Sequence, residues 1–122
     1  MERRVILIVS SDKSIIGALE NLCHSIKIKA VVCESMERFF SVCYHQNFKV
    51  GIIDLAIFSD HKLRFSVILK DSLSEMKIIT IGSVNDLNEK ELVGSNISQK
   101  IIYRLVKPFS IDEVRSVVDA LM

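Results

Sequence analysis

The chain has 122 residues, 49% of them hydrophobic, with 16 basic and 15 acidic side chains and a formal net charge of +1. That length holds one domain, residues 1–122, with a sizeable core, and is too short for two. Near-neutral charge, with no Lys/Arg cluster interleaved with aromatics, argues against nucleic-acid binding by this domain itself.

Mean hydropathy is high for a water-soluble chain, at +0.34. The apolar runs, such as Val5 to Val9, are strand-sized and too short to cross a bilayer. Glu2-Arg3-Arg4 precedes that run as in a secretory leader, but the run is short and no small-residue cleavage site follows it. A parallel sheet buried on both faces explains the apolar excess without a membrane, and the expectation is a cytoplasmic protein. Cys23, Cys33 and Cys43 form no CxxC pair and lack metal-ligand spacing, so buried structural thiols are expected. His24, His45 and His61 are scattered, and surface or loop positions are expected for them.

Val5 to Val9 predicts the first strand, with Ser10-Ser11-Asp12 at its end. Ile15, Ile16, Leu19, Leu22, Cys23 and Ile26 recur at helical spacing, and Asp12 or Ser11 is placed to cap that helix. Ile28 to Cys33 predicts a second strand. Met36, Phe39, Phe40 and Cys43 make a second helical face behind Ser35. Lys49 to Asp54 predicts a third strand, an apolar run that ends on a carboxylate.

After a loop through Ser59 and Asp60, a third helix is expected over Leu63 to Leu73. Met76 to Ile81 predicts a fourth strand, ending on Gly82-Ser83. Leu87 to Val93 predicts a short helix ended by Gly94. Ile101 to Val106 predicts a fifth strand, running into Lys107-Pro108-Phe109. Ser110-Ile111-Asp112-Glu113 has the spacing of a capping box. Behind it, Ile111, Val114, Val117, Val118 and Leu121 give the last helix an apolar face.

Strands and helices alternate five times, which predicts a doubly wound parallel α/β sheet covered on both faces. In such sheets ligands and chemistry collect at the carboxyl ends of the strands. That places Asp54 at the functional edge.

Three motifs in order then carry a family resemblance. They are Ile6-Leu7-Ile8-Val9-Ser10-Ser11-Asp12, Asp54 followed by Leu55-Ala56, and Lys107-Pro108-Phe109. The sequence resembles the receiver domains of bacterial two-component response regulators over its whole length. The Ser-Ile-Asp-Glu start of the last helix is similar to receivers joined to sigma-54-type transcription activators. The resemblance implies a flavodoxin-like (βα)5 fold with strand order 2-1-3-4-5.

It also implies a job for each position. Asp54 would be the phosphoacceptor nucleophile, and Lys107 would contact the phosphate. Mg2+ would bind an acidic pair after the first strand together with the phosphoacceptor. A Ser or Thr ending the fourth strand and an aromatic residue of the fifth would form the conformational switch. Pro108 would follow a cis peptide bond.

Residue by residue, this sequence departs from that pattern. Ser10 and Ser11 occupy the acidic-pair positions, and two hydroxyls do not replace two anionic ligands for a hard dication. Asp12 is one position further on and restores at most one ligand, so a metal site of Asp12 and Asp54 would be weak. Gly82 stands at the switch-hydroxyl position, with Ser83 just beyond it. Arg104 stands at the switch-aromatic position, with Tyr103 displaced by one onto the opposite face. Ser10 and Ser11 are also explained as helix-capping and turn residues. Arg104 is read equally well as a cation guarding an edge strand or as a partner anchor.

Two readings follow. The first is a non-enzymatic pseudo-receiver that needs no cofactor. It would bind a protein partner, or a second copy of itself, through the face of the fourth helix, fifth strand and last helix. In it, Asp54 is mainly the ion-pair partner of Lys107. The alternative is a divergent phosphoacceptor, phosphorylated on Asp54 with Mg2+, in which Asp12 holds the metal and Ser83 replaces the switch hydroxyl. The chain reads as a stand-alone module or as the front of a longer protein.

Overall fold

The computed structural model describes residues 4–58, 76–83 and 100–122. Its five strands are β1 (Val5–Val9), β2 (Lys29–Cys33), β3 (Val50–Asp54), β4 (Lys77–Gly82) and β5 (Ile101–Val106). Its helices are α1 (Lys13–Ser25), α2 (Met36–His45) and α3 (Ile111–Leu121), with a short 3-10 turn at Leu55–Phe58. The strands form one parallel sheet in the order β2-β1-β3-β4-β5. This is the flavodoxin-like arrangement expected from the sequence. The helices expected over Leu63 to Leu73 and Leu87 to Val93, and His61, lie outside the described residues.

The central strands are apolar on both sides because both sides are covered. In β1, Leu7 and Val9 pack into a core with Met36, Phe39 and Cys43 of α2. Ile6 and Ile8 pack into a second core with Leu19, Leu22 and Cys23 of α1 and Val114 and Val118 of α3. Phe39 is fully buried; truncating such a side chain to Ala costs about 3–5 kcal/mol. Gly51 allows a close approach of the Met76 side chain, from just before β4: a Cβ there would lie 2.9 Å from Met76 Sδ.

The caps explain the helix boundaries. Asp12, rather than Ser11, caps α1, its Oδ1 accepting from the Ser14 and Ile15 N–H groups at 2.9 and 3.3 Å. At the other end the Ile28 N–H reaches the Cys23 carbonyl at 2.9 Å and the Lys27 N–H reaches that of His24 at 3.3 Å. This is a Schellman closure, and its left-handed position, usually Gly, is held by Lys27 at φ 61°. Ile28 is used by that closure, so β2 begins one residue later than the apolar run suggests.

One other local expectation is corrected. The Ser110 hydroxyl caps α3 by accepting the Glu113 N–H at 3.1 Å. The Glu113 carboxylate accepts the Tyr103 hydroxyl at 2.7 Å, so no reciprocal bond completes a capping box. In β5 the register shifts: Ile78 pairs with Ile101 but Ile79 pairs with Tyr103. Ile102 is the extra residue of this bulge.

Candidate functional site

The end of β3 carries Asp54 to the carboxyl edge of the sheet, between β1 and β4. The chain then turns tightly, and the Ala56 N–H donates back to Asp54 Oδ1 at 3.2 Å. Ser10, directly after β1, turns inward and is 1% exposed. Its hydroxyl donates to Asp54 Oδ2 at 2.9 Å and accepts the Asp12 N–H at 3.1 Å. Lys107 follows β5, where its backbone N–H is held by the Gly82 carbonyl at 2.8 Å. Its Nζ lies 3.3 and 3.4 Å from the two carboxylate oxygens.

The result is a carboxylate, 2% exposed, that accepts from three donors on three different segments. A carboxylate offers about four lone-pair positions, so few are left for anything else. Burying a charge is costly unless it is paired and hydrogen-bonded, and here both conditions hold. A hard dication would need to displace Ser10 or Lys107 and would find a single buried carboxylate. Asp12 is spent on α1, and Ser11 is exposed. The donor set therefore does not fit Mg2+, which demands near-octahedral oxygen ligands. Among the described residues no group of three His, Cys, Asp or Glu side chains is placed to hold a metal.

The switch positions are arranged as follows. Gly82 ends β4 and contributes its carbonyl to Lys107; Ser83 is exposed just beyond it. Arg104 is exposed and pairs with Thr80 on β4. Tyr103 faces the opposite side, among the residues packed on the α1 and α3 core. Its hydrogen bond to Glu113, together with burial and that carboxylate's charge, raises the phenol above its ordinary value. The Lys107–Pro108 peptide bond is cis.

Sequence reasoning missed two contacts and one buried polar residue. Ser10 is read from the sequence as a capping and turn residue; its hydroxyl does accept the Asp12 N–H in a turn, but it also donates to Asp54. Glu113 was assigned to a cap, although its carboxylate holds Tyr103. Thr80, buried at 3%, was overlooked inside the run Ile78 to Ile81, where a lone polar residue was the available signal.

No protein-family model matches the chain, and no curated protein matches it in sequence. Solved structures do match. The signal receiver domain of an HD-domain-containing protein from Pseudomonas fluorescens superposes with TM-score 0.79 at 16% identity, over 98% of this chain and 94% of that one. The Vibrio cholerae chemotaxis protein CheY4 gives 0.77 at 13%, over 99% and 100%. A response regulator from Burkholderia pseudomallei, solved with a phosphorylated aspartic acid and a calcium ion, gives 0.71 at 13%, over 98% and 66%. At these identities the likeness establishes the fold: this chain has the fold of response-regulator receiver domains. No described helix is long and apolar enough to cross a membrane.

Proposed function

We propose that this chain is a pseudo-receiver: a non-enzymatic module of a bacterial, cytoplasmic response-regulator-type protein that acts without phosphate or Mg2+. The observation that carries the reading is the buried Ser10–Asp54 hydrogen bond of 2.9 Å. It sits where a receiver's metal-binding carboxylates would be, and it leaves Asp54 neutralised by Lys107. With a backbone carbonyl at Gly82 and a cation at Arg104, a phosphoryl group would find neither switch hydroxyl nor switch aromatic.

Output then rests on the surface. The side of β5 and α3 presents a groove of about 600 Å³ lined by Lys77, Ile102, Tyr103, Glu113, Val117 and Leu121, among others. Of the exposed large hydrophobic residues on β5, Ile102 at 42% lines this groove, and Val106 is 50% exposed. Its partner is a protein, either another copy of the chain or a different protein, in signalling or transcription regulation of the kind that receivers joined to sigma-54-type activators serve. Replacing Asp54 by Asn in the protein tests the reading: oligomeric state and partner binding should match wild type.

The alternative is a working phosphoacceptor, motivated by the retained Asp54, Asp12 and Lys107 and by the phosphorylated aspartic acid in the Burkholderia response regulator that shares this fold. It requires Ser10 to swing away so that Asp54 and Asp12 can share Mg2+. Loss of regulated output in Asp54→Asn would establish it.

A further inference from the structure

At the end of the sheet opposite Asp54, a groove of about 350 Å³ is lined by Arg4, His24, Lys27, Ile28 and Lys29. Arg4 precedes β1 and Lys29 opens β2, so this groove lies a full strand length from the carboxyl edge. No acidic side chain is among its described lining residues.

The backbones of its three permanent cations are fixed. The Lys29 N–H bonds the Arg4 carbonyl at 2.9 Å, and Lys27 is held by the Schellman closure of α1. The Arg4 guanidinium is steadied by the Ile26 carbonyl at 3.2 Å, which uses one donor and leaves the rest of its fork available.

A structural explanation covers part of this arrangement. Cations suit the carbonyl end of a helix, which accounts for His24 and for the Arg4 contact. It does not account for Lys27, a long cationic side chain at a left-handed position that glycine fills more easily, nor for Lys29. Three exposed cations that line one small groove give it a positive potential that favours an anion. A guanidinium fork and two lysine side chains that line one groove offer the kind of donors that suit a compact, multiply charged phosphate better than a single carboxylate.

We propose that this groove binds a phosphate-bearing anion of two or more charges, either free or as a lipid headgroup. This inference is independent of whether Asp54 is ever phosphorylated.

The test is a titration of the whole chain with inorganic tripolyphosphate at constant ionic strength, followed by amide NMR. Parallel titrations use vesicles with and without a phosphoinositide, and an oligoglutamate peptide of equal charge. Saturable shifts confined to Arg4 and to residues 24–29 are expected with tripolyphosphate, with phosphoinositide vesicles, or with both, which tells the two sources apart. Arg4→Ala and Lys27→Gly should each weaken binding by roughly three- to tenfold, while Lys13→Ala should not. Lys27→Gly is the decisive variant: glycine suits the backbone there, so its fold should become more heat-resistant while its binding weakens. The proposal is overturned if Lys27→Gly binds like wild type, if shifts are non-saturable and spread over the surface, or if oligoglutamate binds more tightly than tripolyphosphate.

Discussion

Ser10 and Asp54, 44 positions apart in the chain, share a buried hydrogen bond of 2.9 Å that joins the ends of β1 and β3. Removing the hydroxyl strips a donor from a buried carboxylate and frees the Asp12 N–H. Ser10→Ala is expected to cost about 1–3 kcal/mol, measured by urea denaturation. An unchanged midpoint would mean that the hydroxyl contributes nothing to holding Asp54.

Restoring carboxylates should restore a metal site. In Ser10→Asp combined with Ser11→Asp, an acidic side chain faces Asp54 at close range, and the repulsion should lower the melting temperature by several degrees without metal. Millimolar Mg2+ should return it, by linkage of binding to folding, and should leave wild type unaffected. Calorimetric scans of both proteins with and without Mg2+ check this.

Lys27 is held at φ 61°, a region that costs a side-chain-bearing residue roughly 1–2 kcal/mol. Part of that gain is offset by the greater freedom of glycine in the unfolded chain. Lys27→Gly is therefore expected to stabilise by about 0.5–1 kcal/mol, read from the shift in denaturation midpoint.

The three thiols are buried and protected. Burial raises Cys23, pushes Cys33 from 9.0 up to about 11, and pushes Cys43 up to about 12. The native protein thus keeps thiol protons that the unfolded chain releases near its ordinary value. The stability tied to these groups is complete below about pH 9 and falls as the pH rises through the folded values. Native protein at pH 8 should react slowly with a thiol reagent, and urea-unfolded protein should react at all three positions.

Tyr103 should titrate above an ordinary phenol because Glu113 holds its hydroxyl. In a Tyr44→Phe background, Glu113→Gln should move the Tyr103 absorbance titration down toward an ordinary phenol. Tyr103→Phe should remove that raised titration altogether.

The fold was legible wherever burial writes a simple pattern. Val5 to Val9 and Val50 to Ile53 are apolar at every position because both sheet faces are covered, while α1 and α2 show clean helical spacing. Asp54, Lys107 and the strand order followed from the same run of motifs. What stayed hidden depends on partners distant in sequence. A serine after a strand looks the same whether it caps a helix or turns in to a carboxylate. Glu113 has capping-box spacing whether it reaches back to Ser110 or across to Tyr103. The bulge at Ile102 is set by pairing with Ile78 and Ile79, and nothing local marks it.

The central claim is that Asp54 no longer takes a phosphoryl group. Its most direct test is titration of the protein with Mg2+ and beryllofluoride, with amide resonances followed across the chain. The account predicts no saturable change at Ser10, Asp54, Ala56, Gly82 or Lys107. Saturable shifts at those residues, spreading to Tyr103, Arg104 and α3 and abolished in Asp54→Asn, would contradict it.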